Sequence, residues 1–211
     1  DVPVTEPDVS VVEDIAEPVD QAAEPVDQAV EPAPDEQPGR QVHRMTVAQL
    51  ARSIPVITGG IAWIEDFGEG PIDMLQILSS TLGAPDYLLV TEENLDPSLI
   101  LAKFVQDAAY RICVNWVTRD AALAASERTL IVHQDWASQD AADIEASLVA
   151  LQMRFFARKI DLGDAEDAAA ITALSDLFHA AAGGAAAGQE ATDGWTAVCL
   201  AHMTSPEMVL Y

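Results

Sequence analysis

The 211-residue chain sets 35 Asp and Glu against 10 Lys and Arg, a formal net charge of −25 at pH 7. A field of that sign repels phosphate backbones and anionic lipid heads, and no Lys/Arg cluster is present to release counterions, so binding to nucleic acid or to a membrane surface is disfavoured. The longest apolar runs, such as 87–90 and 99–102, fall far short of the roughly 20 residues of a membrane-spanning helix, so direct membrane insertion is not expected.

Residues 1–40 carry 12 acids against a single Arg40, and seven of the 12 prolines. The heptapeptide AEPVDQA stands at 16–22 and again at 23–29, with an imperfect third copy from Val30. Recurrent proline blocks helix and like charges repel along the segment, which predicts an extended acidic, Pro-rich tail with no regular helix or strand. Such a tail serves as a spacer to an anchor or partner, or docks on a basic groove. The chain begins at Asp1 with neither Met nor a basic n-region, the form of an exported protein after signal removal, although a shortened chain would look the same. Export to a periplasmic, outer-membrane-associated or extracellular location is the expectation.

From Val42 onward apolar residues recur at helical spacing. In MTVAQLARSI, Thr46 is a plausible N-cap and Pro55 predicts the helix end. GPIDMLQILSSTLG reads as a helix with Pro71 in its first turn and Gly83 as its stop. The stretch beginning DPSLILAKF has Asp96 as cap, Pro97 at the first helical position, and a stripe of Leu101, Val105, Ala108 and Ile112, which predicts a long central helix. A further helix places Ile144, Leu148, Leu151 and Phe155 on one face, with Arg154, Arg158 and Lys159 near its C-terminal end. The next opens on acids, repeats Ile171, Leu174 and Phe178, and stops at Gly183-Gly184; the last starts near Thr192 or Asp193. RTLIVH is the one possible strand, and a single strand has no partner. The fold class expected is all-α, one helical bundle-like domain over residues 42–211.

Cys199 and His202 stand three apart on the last helix, on one face with Trp195, and form at most half a metal site. Covalent haem needs a C-x-x-C-H sequence, which is absent. A core-facing histidine packed through Trp195 and Val198 is the simpler reading, and no metal or cofactor is expected. Cys113 lies 86 residues before Cys199; in an exported protein an even cysteine count favours a Cys113–Cys199 disulfide, with α-carbons about 4.4 to 6.8 Å apart. Two buried free thiols are the alternative. His133 with Asp135 and Asp140 is raw material for a general base, but no nucleophile motif accompanies it, so a hydrolase using His133 and Asp135 is a minor alternative. Gly59-Gly60 lacks the Lys and Ser/Thr of a phosphate loop and reads as a turn. Asp161, Asp164 and Asp167 lack calcium-loop spacing and read as helix-start acids.

VHRMTVAQLARSI near the domain start, RFFARKIDLGDAEDAAAITALSDLFHAAAGG, and the closing GWTAVCLAHMTSPEMVLY stand in an order that resembles helical domains of unknown function in large exported planctomycete and myxobacterial proteins, which often accompany c-type cytochrome domains. The chain departs from that pattern at Met208, where an aromatic is expected, and in lacking a haem-binding sequence. The resemblance implies an exported, haem-free helical module and carries over no functional residue. The expected function is a non-catalytic structural or interaction module of a cell-envelope or extracellular assembly, with protein partners. The alternative from the resemblance is a haem-free accessory protein to a cytochrome or other redox partner.

Overall fold

The computed structural model describes residues 42–132 and 135–211; the expectations for the tail and for His133 lie outside them. In chain order the elements are α1 (Val47–Thr58), the strands β1 (Ile64–Asp66) and β2 (Pro71–Asp73), then α2 (Met74–Ile77) and α3 (Leu99–Ala121). A short 3-10 turn (Ala125–Glu127) is followed by α4 (Ala141–Phe156), α5 (Ala165–Gly184), α6 (Glu190–Met203) and α7 (Pro206–Val209). The domain is helical, as expected, with one small hairpin added.

Helix α1 starts where the sequence places it. Thr46 Oγ1 accepts the Gln49 N–H at 3.0 Å and Gln49 Oε1 accepts the Thr46 N–H at 2.8 Å, a reciprocal capping box. Its end corrects the expectation, because α1 runs through Pro55 to Thr58. The stop is instead Gly59, at φ 68°, whose N–H and that of Gly60 donate to Pro55 O. Beyond the proline, two guanidiniums from other helices take the last carbonyls. Arg119 donates to Thr58 O at 2.9 Å and to Gly59 O at 3.0 Å, while Arg154 Nε donates to Ile57 O. Cations at a helix C-terminus offset its partial negative charge, so α3 and α4 complete the end that Gly59 sets.

The helix expected over 71–83 is largely replaced. Pro71 begins β2, antiparallel to β1 with Glu65 opposite Ile72, and only 74–77 form a helical turn. Asp66 Oδ1 accepts N–H groups of Gly68 (2.8 Å) and Gly70 (3.3 Å), which closes the hairpin; Asp73 Oδ1 then caps α2 through Leu75 and Gln76. Aspartates accepting from backbone two to four residues on compete with helix, and proline is tolerated on an exposed strand end. The cap of α3 likewise moves from Asp96 to Ser98, whose Oγ accepts the Leu101 N–H at 3.1 Å.

Helix α3 forms the middle of the core, with Ala108, Ala109, Ile112, Cys113, Trp116 and Val117 buried. The stripe Ile144, Leu148, Leu151 and Phe155 of α4 is buried as expected. Helix α5 begins at the Asp164 cap, which accepts from Glu166 and Asp167, so Asp164 and Asp167 do start a helix, whereas Asp161 lies in the turn before it and accepts the Gly163 N–H. Helix α6 begins at Glu190, a few residues before the expected start, and packs on α5 where Gly194 meets Phe178. A Cβ at position 194 would stand 2.5 Å from the Phe178 ring, so only glycine admits this approach.

RTLIVH forms no strand among the described residues. Leu130 and Ile131 are buried, and the Asp120 carboxylate, itself fully buried, takes the place of a neighbouring strand: its Oδ2 accepts the N–H groups of Thr129 and Leu130. Oδ1 is paired with Arg119 at 3.2 Å. Asp120 thereby links α3, the 128–131 segment and, through Arg119, the end of α1. Asp120→Ala removes the acceptor from the buried Leu130 N–H and the half-buried Thr129 N–H and leaves Arg119 without its anion. The expected destabilisation is about 3 to 5 kcal/mol in urea unfolding at pH 7. Glu127→Ala, at an exposed position, should unfold like the parent.

Candidate functional site

The two cysteines form a disulfide, and their α-carbons are 5.7 Å apart, inside the expected interval. Both are fully buried, and the bond fastens α6 to α3 a little beyond its midpoint. Cys199 is therefore no thiolate ligand. His202 is also buried and both its ring nitrogens are engaged. Val198 O, which can only accept, lies 2.8 Å from Nδ1, so the proton sits there and Nε2 accepts from Gln152 Nε2 at 3.2 Å. The ring stacks on Phe156 (5.7 Å between centroids, 13° between planes) and tilts against Phe155 at 4.9 Å. Trp195 tilts against Phe178 instead, so the aromatic partners of His202 come from α4 rather than from its own helix. Burial holds the His202 pKa below its ordinary 6.5, against a smaller upward pull from Val198 O.

The other sequence candidates are drawn into local structure. Asp140 caps α4 through Ala142 and Asp143, and Asp135 Oδ1 accepts the N–H of Trp136. Gly59-Gly60 is the turn after α1. Among the described residues no three His, Cys, Asp or Glu converge as a metal site.

A feature that the sequence did not single out as a site stands elsewhere. Tyr87, Leu88, Leu89 and Val90 are all solvent-exposed, with Leu88 at 89% and Leu89 at 90%. Four consecutive apolar residues at this exposure need something other than packing to fix them. Asp86 Oδ1 accepts the N–H groups of Leu88 (2.9 Å), Leu89 (2.9 Å) and Val90 (3.0 Å), and Tyr87, at φ 59°, donates its N–H to Val90 O at 3.0 Å. Those three N–H groups hold the Asp86 carboxyl below its usual range.

The base of this loop is clamped by one side chain. Arg44, only 2% exposed, donates to Leu82 O at 2.7 Å on one stem and to Glu93 Oε1 at 2.8 Å on the other, and its backbone N–H donates to Leu95 O. Gly83, at φ 89°, lies against the guanidinium: a Cβ there would be 3.0 Å from Nη2. Residues 83–94 thus form a short loop with joined stems and an apolar tip, the arrangement in which surface loops carry function. The stretch of sequence that contains it carries one sign of charge, since residues 53–102 hold eight acids and no Lys or Arg. The signal available in the sequence was Pro85-Asp86 immediately before an apolar run with no periodicity.

Two measurements test the buried cluster. Replacing both cysteines by serine should cost about 4 kcal/mol in urea unfolding if closure of the long loop dominates, and an unchanged midpoint would refute a stabilising bridge. Below pH 6.5 the unfolded histidine takes up a proton that folded His202 refuses, so stability is complete above that value and falls as pH drops toward the folded pKa. The urea midpoint should therefore fall between pH 7.5 and 5.5, and His202→Gln should flatten that fall; parallel profiles would show that other groups cause it. No protein-family model, curated protein or solved structure matches the chain.

Proposed function

We propose that the chain is a non-catalytic interaction module of a cell-envelope or extracellular assembly, which engages a protein partner through residues 87–90. The observation that carries this reading is the exposed apolar tip held in one conformation by Asp86 and clamped at its base by Arg44. A disulfide supports an oxidising compartment, since such bonds persist mainly outside the cytosol. The motif order that resembles exported helical domains points the same way.

The surroundings of the tip indicate the chemistry of the partner. Leu88 and Leu89 call for an apolar pocket, and exposed Asp86, Glu92 and Asp96 call for Lys or Arg on its rim. A second copy of this chain would bring a like charge of −25.

A photo-reactive leucine analogue at position 88, irradiated in the native source, should capture one protein that the same label at exposed position 127 does not. Binding of that protein, once purified, should weaken at least about 30-fold on replacing Leu88 and Leu89 by Asp, in line with loss of a buried hot spot. It should also weaken with added salt. Equal capture from both positions, capture of a second copy, or unchanged binding by the double variant would each refute the proposal.

A further inference from the structure

Independently of the loop, an open groove of about 870 Å³ lies between the hairpin and the middle of α3. Trp63 and Glu65 line one wall; Lys103, Gln106, Asp107, Tyr110 and Arg111 line the other. The α3 residues recur every three or four positions, so they form one stripe along the helix. Tyr110 is 55% exposed and presents its ring to the groove it lines.

The charges along this groove cancel in pairs. Arg111 Nε is 3.0 Å from Glu65 Oε1, and Lys103 pairs with Asp107. A phosphate or a metal ion requires uncompensated charge of one sign, and neither is offered here. What the groove offers instead is unused hydrogen-bonding capacity. Among the described residues the Gln106 amide and the Tyr110 hydroxyl make no hydrogen bond, and Glu65 Oε2 and Asp107 Oδ2 accept none, while Glu65 Oε1 is already held by Trp63 Nε1 at 3.0 Å. Amide, carboxylate and guanidinium groups present donors and acceptors in adjacent pairs beside an aromatic face.

Adjacent hydroxyls on one edge and a C–H-lined face on the other are the attributes of a pyranose ring. An open groove, rather than a closed pocket, accommodates several such rings in a row. We propose that this groove binds a neutral oligosaccharide, with one sugar stacked on Tyr110 and its hydroxyls held by Gln106, Asp107 and the free edge of Glu65. Arg111 orients Glu65 from the other side.

The test uses the full chain and neutral hexasaccharides of β-1,4-linked glucose, α-1,4-linked glucose and β-1,4-linked N-acetylglucosamine, read by calorimetry and by backbone amide NMR. One of them should bind with Kd below about 1 mM, a range set by a few hydrogen bonds and one stacked ring, and should shift amide signals within 63–66 and 103–111. Tyr110→Ala should weaken it at least about tenfold, equivalent to about 1.4 kcal/mol, whereas Tyr110→Phe should stay within about threefold. Gln106→Ala, also at an exposed position, should weaken it without changing the unfolding midpoint. If no hexasaccharide binds below about 1 mM, if Tyr110→Ala binds as the parent does, or if inorganic phosphate binds more tightly than every sugar, the proposal fails.

Discussion

The bond between Cys113 and Cys199 is the constraint on which the rest of the structure depends. It ties the longest helix to the last long one, and both cysteines lie in the most deeply buried layer, beside Ile112, Trp116 and Val198. Large side chains are sparse in this alanine-rich domain, so each buried aromatic needs small neighbours that let the helices close around it. Gly194 on α6 has that role, directly beneath Phe178. A core assembled from a few large residues and many small ones leaves little area to offset chain entropy, and a covalent link across 86 residues lowers the entropy of the unfolded state. The disulfide therefore does for α3 and α6 what additional leucines would do in a larger domain.

Cations are scarce, and the fold turns several of them toward its own backbone, one buried and two half-buried. Arg44 joins the two stems of the 83–94 loop, while Arg119 and Arg154 finish α1. The planar guanidinium suits this work because one side chain can reach carbonyls on two different segments at once. Arg154 pays for that position in part: burial and the nearby Arg119 charge lower its pKa, with Asp120 acting in the opposite sense. An acidic exterior selects against anionic partners and favours basic ones before any contact forms.

What could be read from the sequence was whatever is settled within a few residues of itself. The stripe of α4, the Thr46 cap and the acidic start of α5 depend on neighbours three or four positions away, and they stand where periodicity and cap chemistry place them. The disulfide was legible for a different reason, since two cysteines admit only one pairing. What escaped was decided at a distance. Pro55 reads locally as a stop, yet α1 continues because Arg119 and Arg154, 60 and more residues away, take its final carbonyls. RTLIVH reads as a strand without a partner because its partner is a carboxylate on α3. Asp66 and Asp73 were local signals, but they compete with the helical reading of 71–83, and which one prevails depends on the pairing of β1 with β2.

The same division explains why neither surface proposed to bind a ligand was visible in advance. Residues 87–90 look like core in a sequence, because four apolar residues in a row normally mean burial. Their exposure follows from two polar contacts, with Asp86 folding the tip back on itself and Arg44 closing the stems. Ordering that segment removes conformational freedom at the time of folding, so a partner that receives Leu88 and Leu89 need not supply that entropy on binding. An apolar tip that were merely disordered would bind more weakly for the same contact area and would collapse onto the domain when free. Asp86 and Arg44 oppose both outcomes through the loop's own backbone, and Asp86 does so with Oδ1 alone.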